Sequence, residues 1–143
     1  MTKPTSDVSQ ILKENGYSLT QPRLIVFDLL LDQEPLSLVE LHNRAAGKLD
    51  RASLYRIIAL FEQIGIVQRV NIGWKYKIEL SDKFAEHHHH LTCIKCHKII
   101  PINEQELEEF VSNLAAYNHF KPIEHQVEIQ GYCETCQGDG SNR

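Results

Sequence analysis

The sequence predicts an α+β chain: an N-terminal winged helix-turn-helix followed by a small α/β dimerisation domain with a four-cysteine zinc site. Three observations predict it. Apolar residues recur at helical spacing as far as Ile64 and then alternate over two short segments, the order of a helical bundle closed by a hairpin. All four cysteines stand in two C-x-x-C pairs, Cys93/Cys96 and Cys133/Cys136, with 36 residues between them. Charge divides unevenly: residues 1–80 hold ten Lys/Arg and nine Asp/Glu (+1), residues 81–143 five and ten (−5), giving the −4 of the 143-residue chain. Seven of the eight histidines also follow residue 80. Halves this different in chemistry predict a first domain over 1–80, a hinge over 81–86, a second domain over 87–137 and a disordered tail over 138–143.

A first helix is expected over 6–15, where Val8, Ile11 and Leu12 share a face and Gly16 stops the run. Thr20 can N-cap a second helix over 23–31, with Pro22 in its first turn. Its run of Leu24, Ile25, Val26, Phe27, Leu29, Leu30 and Leu31 is apolar on most faces, as suits a central helix. Ser37-Leu38-Val39-Glu40 is a capping-box pattern that opens a third helix ending near Gly47. Asp50 caps a fourth, whose Leu54, Ile57, Ile58, Phe61 and Ile64 form an inward stripe, and Gly65 ends it. Segments 66–71 and 74–80 alternate, with Ile72-Gly73 as the turn of a hairpin wing.

With its stripe facing inward, the fourth helix leaves Arg51, Ser53, Tyr55 and Arg56 near its outer face and N-terminal end. Guanidinium groups hold phosphates or guanine edges, and a tyrosine meets a thymine methyl or a phosphate, so this end suits a major groove. The same residues also describe an ordinary solvated face. Arg69, Lys75 and Lys77 on the hairpin read either as phosphate contacts or as cations that solubilise a wing.

In the second half, four consecutive histidines, His87 to His90, run into Leu91-Thr92-Cys93. In a strand, alternate side chains face opposite sides, so His87 and His89 face one way and His88 and His90 the other. One short run can thus supply ligand pairs to two metal sites. Residues 98–102 read as a strand, and Asn103 with Glu106 as a second capping box that starts a helix through Tyr117. Leu107, Phe110, Val111 and Leu114 are its expected buried stripe, with Glu108 at the edge, pointing toward the sheet. Glu104, Glu106 and Glu109 read as solvated charges. A last strand over 123–130 carries His125 and leads into the second cysteine pair. About sixty residues bury little apolar surface, so zinc and a partner subunit are expected to support this domain.

Hydrophobic residues are 42% and charged residues 24%, a globular composition. No run approaches 18 consecutive apolar residues, which excludes a spanning helix, and the opening MTKPTSDVSQ lacks the pattern of a secretory signal. The expected compartment is the cytoplasm. There, paired C-x-x-C knuckles suit a metal better than disulfides, with redox pairs as the alternative. A closed four-thiolate site has no open position, so its zinc is expected to be structural. An enzyme is not expected: the thiols are explained as one closed site, and no H-x-E followed by P-C-x-x-C occurs.

These motifs together resemble the ferric uptake regulator (Fur) family of metal-dependent bacterial repressors, over nearly the whole chain from Gly16 to Cys136. The matching pieces are Thr20-Gln21-Pro22-Arg23, Ser53-Leu54-Tyr55-Arg56, Gly65-Ile66-Val67, His90-Leu91-Thr92-Cys93-Ile94-Lys95-Cys96 and the Cys133/Cys136 knuckle. The resemblance implies that Cys93, Cys96, Cys133 and Cys136 form the structural zinc site. It implies a hinge sensing site at Glu79, His88 and His90, and a second regulatory site at His87, His89, Glu108 and His125. Tyr55 and Arg56 match the DNA-contacting pair, and Arg23, Arg51 and Ser53 complete the candidate DNA contacts. The implied partners are a double-stranded DNA operator and a second copy of the chain, a homodimer or a tetramer.

Three positions depart from the family pattern. Ser18 stands where many members have a minor-groove Lys or Arg. Pro35, with Glu34 beside it, stands where iron sensors often supply a hinge histidine, which makes Glu34 a candidate fourth ligand. His89 replaces an Asp common in iron sensors. Four consecutive histidines are similar to zinc-sensing members, so the expected function is a zinc-responsive repressor. Iron, manganese or peroxide sensing within the same family is the alternative, and a metal-binding adaptor without a DNA role, suggested by Ser18 and the acidic total, is a further one.

Overall fold

The computed structural model describes residues 2–138, in two compact units divided in sequence between Glu86 and His87. Of the expected tail, only Gly138 is described, as the end of the last helix; the rest lies outside the described residues.

The first unit holds α1 (Lys3–Glu14), α2 (Gln21–Leu30), α3 (Leu38–Ala45), α4 (Arg51–Gln63), β1 (Val67–Ile72) and β2 (Lys75–Leu80). Helix α1 begins at Lys3, three residues before the expected start at Ser6, because Pro4 fits the first turn, where an amide would lack a helical partner. Side chains that bond the backbone locally set the next three starts. Thr20 Oγ1 accepts from the Arg23 amide at 3.5 Å, and Asp50 Oδ2 from the Ser53 amide at 3.4 Å. Ser37 and Glu40 form the full reciprocal box, at 3.1 and 2.7 Å. The amide of Ser37 accordingly holds the Glu40 carboxyl below its ordinary range.

Helix α4 ends in a Schellman motif: the Ile66 amide reaches the Phe61 carbonyl at 2.8 Å, and the Gly65 amide reaches that of Glu62 at 3.2 Å. The motif needs a left-handed residue, and Gly65 takes φ +79°. The stripe of α4 is buried as its periodicity predicts: Leu54, Ile57, Ile58 and Phe61 pack with Val8, Leu12, Phe27, Leu41, Ile66 and Ile78. Phe84 meets Phe27 edge-on, with centroids 5.0 Å apart.

The hairpin is present, but its turn is Gly73-Trp74, not Ile72-Gly73, because Ile72 pairs with Lys75 in the ladder. Gly73 takes φ +61°, which the first position of a tight II′ hairpin turn requires. The displaced turn puts Trp74 at the tip rather than in a strand. Leu36 adds a one-residue bridge to Ile78 through two backbone bonds of 2.9 and 2.7 Å, turning the hairpin into a small three-part wing.

The second unit holds β3 (His89–Cys93), β4 (Ile99–Ile102), α5 (Gln105–Tyr117), β5 (Glu128–Gly131) and α6 (Glu134–Gln137). The sheet order is β4-β3-β5, antiparallel between β3 and β4 and parallel between β3 and β5, with α5 as the crossover. Three expectations are corrected here. Helix α5 starts at Gln105 behind Glu104, so the Asn103/Glu106 box is out of register and no side-chain cap bond forms. Its apolar stripe is not buried within the single chain: Phe110 is 65% and Leu114 53% exposed, and α5 has no buried residue. The last strand is four residues rather than eight: the Val127 amide donates to Nδ1 of His89 at 3.0 Å, and Ile123 is 98% exposed. Among the described residues, the buried side chains of this unit are His89, His90, Thr92, Cys93 and Cys136.

Candidate metal centres

Two tight turns deliver the four thiols. The first reverses β3 into β4: the Cys93 amide bonds the Lys98 carbonyl at 2.9 Å, and His97 takes φ +66° to close it. The second follows β5, which runs beside β3 and carries Cys133 and Cys136 to the same end of the sheet. The four sulfurs lie within 4.8 Å of one another, and Cys96 and Cys133 are 3.7 Å apart. Sulfurs bound tetrahedrally at ~2.3 Å to one ion stand ~3.8 Å apart. The donor set therefore fits Zn(II).

The electrostatics agree. The Cys96 amide, at 3.5 Å from its sulfur, and then that of Cys133 push the Cys93 thiol down to about 5. Burial, followed by its thiol neighbours, pushes Cys136 up to about 12. The Cys136 amide lowers Cys133 as well, so two thiols ionise readily and the buried Cys136 resists, as expected where anions share a site and a cation must offset them.

The alternation of the histidine run is also realised. His87 and His89 lie together with ring centroids 4.7 Å apart, and His88 and His90 lie together at 4.8 Å. Glu108 and His125 join the first pair. His87 Nε2 is 3.1 Å from His125 Nε2 and 3.4 Å from Glu108 Oε1; His125 Nε2 is 2.7 Å from Glu108 Oε2 and His89 Nε2 2.5 Å from Oε1. Ligands at 2.0–2.1 Å around a tetrahedral ion stand ~3.4 Å apart, so these pairs need a small outward adjustment to seat an ion in the N₃O set. Burial resists ionisation of Glu108, but hydrogen bonds from His89 and His125 hold its carboxyl below the ordinary range. Since Nδ1 of His89 accepts from Val127, the neutral ring carries its proton on Nε2, and that proton must move or leave when a cation binds. The short β5 found above follows from this bond.

A model of the ferric uptake regulator family matches residues 14–130. The chain belongs to that family. It is similar to the ferric uptake regulation protein of Neisseria meningitidis serogroup C, at 30% identity over 94% of this chain and 96% of that one. The crystal structure of the Vibrio cholerae ferric uptake regulator matches with a TM-score of 0.72 and 28% identity, over 89% of this chain and 100% of the other. A zinc-bound manganese uptake regulator matches at 26% identity and a TM-score of 0.63, over 87% and 96%.

In this Fur-family regulator the candidate DNA residues lie on the first unit. Arg51, Tyr55 and Arg56 are exposed along α4, with Arg56 donating to Ser53 Oγ at 3.3 Å. Arg23 is tied down: it donates to the Ser18 carbonyl at 2.7 Å and lies over the Tyr17 ring. Thr20, Pro22, Arg23, Ser53, Arg56 and Ile57 line one shallow groove between α2 and α4. Two of the three hairpin cations have carboxylate partners within the first unit. Arg69 is clamped by Glu62 and stacked 4.0 Å over Tyr76, and Lys77 is 3.7 Å from Glu40. These partners lie seven and more residues away in sequence, so no local pattern announces them. Glu79 is buried on β2, where it accepts from Gln68 at 2.8 Å. Glu34 is exposed between α2 and α3, and no ligand role is assigned to it.

Proposed function

We propose that this chain is a transcriptional repressor that binds a palindromic operator as a homodimer when metal-loaded, and that the metal it reads is Zn(II). The observation that carries the reading is the His87, His89, His125 and Glu108 cluster. Three imidazole nitrogens and one carboxylate, with donor atoms all within 4.8 Å of one another, suit Zn(II), whose sites are commonly four-coordinate. In place of His89, an aspartate would offer a harder oxygen set.

In this reading Cys93, Cys96, Cys133 and Cys136 hold a structural Zn(II). His87, His89, Glu108 and His125 hold a regulatory ion, and Glu79, His88 and His90 another. When bound, the cation neutralises packed donors and cross-links the segments that carry them. Glu108 draws His89 and His125 together, and so ties α5 and the chain before β5 to the start of β3. The exposed Phe110, Leu114, Tyr117 and Ile123 support a second copy as the cover for this half. Arg51, Ser53, Tyr55 and Arg56 enter a major groove, with Arg23 bracing the start of α2. Metal favours the DNA-binding form by binding it more tightly, so DNA reciprocally tightens metal. Among the described residues no helix is long and apolar enough to cross a membrane, and an operator partner implies the cytoplasm.

Anisotropy of a labelled duplex, selected from a random pool, tests the reading with chelator, Zn(II), Mn(II) or anaerobic Fe(II). Equal affinity in chelator and saturating metal sinks it. One observation favours an iron-reading alternative: the relatives at 30% identity are named ferric uptake regulation proteins. Activation by Fe(II) and not by Zn(II) would select that alternative.

A further inference from the structure

Glu79 and Gln68 stand directly opposite each other in the β1–β2 ladder. The Gln68 side-chain amide donates to Glu79 Oε1 at 2.8 Å. Glu79 is only 6% exposed. Strand alternation puts it on the same face of β2 as Lys75 and Lys77, so a buried carboxylate occupies a face that otherwise carries lysines. Those cations are directed elsewhere. Lys77 lies 3.7 Å from Glu40, and Lys75 lies 5.1 Å from the Trp74 ring centroid. Arg69, next to Gln68 in sequence, is clamped by Glu62.

A buried carboxylate needs hydrogen bonds for its lone pairs and a cation for its charge. Gln68 supplies the first and, being neutral, none of the second. That combination suits a metal ligand. A lysine or arginine at position 68 would compete with an ion for the carboxylate, and an apolar residue would leave the carboxylate free to rotate.

We propose that Gln68 is a positioning residue for Glu79: its amide fixes the rotation of the carboxylate for a regulatory divalent cation, and its neutrality leaves the negative charge for that cation to offset. The inference rests on the reading of Glu79 as a regulatory ligand and adds to it a residue that touches no metal. A ligand oriented before the ion arrives loses less freedom when the ion binds, so the hydrogen bond is expected to tighten binding rather than to stabilise the fold.

The full chain, with its structural zinc retained, is titrated with Zn(II) against a chromogenic chelator to resolve the exchangeable ions. Glu79→Gln identifies the binding step that uses Glu79. Gln68→Leu is expected to weaken that same step about 10- to 100-fold and to leave the other exchangeable step unchanged. Combined with Glu79→Gln it should weaken the step no further than Glu79→Gln alone, because the carboxylate it orients is gone. Gln68→Lys should also lose the step, while the metal-free thermal midpoint holds or rises as the ammonium pairs with Glu79. If Glu79→Gln weakens a step that Gln68→Leu leaves intact, the positioning role is wrong and the regulatory reading of Glu79 stands. If Glu79→Gln changes no step, that reading fails and the role of Gln68 with it. Gln68→Leu weakening both steps alike, or adding its full effect to that of Glu79→Gln, would mean that it acts through the fold and would overturn the inference.

Discussion

Breaking the four-thiol cluster should unfold one half of the chain and spare the other. The ion that fits Cys93, Cys96, Cys133 and Cys136 clips a segment of 44 residues, counted from Cys93 to Cys136 inclusive. Closing a loop of that length lowers the entropy of the unfolded chain by roughly 13 cal/mol/K, or about 4 kcal/mol at 25 °C. Small domains are stable by only about 5–15 kcal/mol, and this unit buries no large aliphatic side chain among its described residues. Cys136→Ala removes a buried ligand at the end of the loop and leaves three thiolates with an open position. Native-state hydrogen exchange on the zinc-loaded full chain measures the consequence residue by residue. Amides of the β3–β5 pairing, such as Ile94 bonded to Gly131, should lose protection by about a thousandfold. Amides of α4, whose core is hydrocarbon, should keep theirs. Chelation of the wild type should reproduce the pattern without a substitution. Unchanged exchange in β3 and β5, with zinc still held through dialysis against chelator, would refute the reasoning.

Three further outcomes are expected. Glu108→Gln should lose one exchangeable metal ion per chain while keeping the structural zinc, as read by elemental analysis before and after mild chelation; an unchanged count removes Glu108 from the site. Arg56→Ala should lower operator affinity about 10-fold or more with an unaltered denaturation midpoint, and an unaltered affinity would put the DNA face elsewhere. Ser37→Ala should cost about 1 kcal/mol of unfolding free energy by opening the capping box. The folded pKa of Glu40 lies below its unfolded value. Its contribution is therefore present above the ordinary carboxylate range and lost as pH falls through the lowered value. Glu40→Gln should flatten that acid limb, and identical pH profiles would remove the box as its source.

Legibility in the sequence followed the range of the interactions. Thr20, Ser37 and Asp50 bond amides three residues on, so each helix start could be read from a few neighbouring letters. The histidine run is legible for the same reason: an extended run alternates, which pairs His87 with His89 and His88 with His90 even though β3 itself begins at His89. The two cysteine pairs announced a common site because each knuckle is itself local. What escaped depends on partners distant in sequence. The turn shifted to Gly73-Trp74 because cross-strand register, not local composition, put Ile72 opposite Lys75. The last strand shortened because Val127 bonds a histidine 38 residues earlier. The stripe of α5 has the right period, but a period does not say what covers it, and Phe110 and Leu114 stay exposed in the single chain.

The interior of the second unit, built from histidine, threonine and cysteine, has a consequence for the life of the molecule in the cell. A hydrocarbon core is indifferent to the ions around it, whereas a core of ligands is held together by them. Under ion starvation this half would open more often and offer its backbone to proteases, while the first half stayed closed. Scarcity would then lower the number of regulator molecules as well as the fraction that is loaded. Resupplied ion could reload the surviving copies at once, but full repression would have to wait for new synthesis. Such a switch turns off faster than it turns back on, and so keeps a short memory of the last famine.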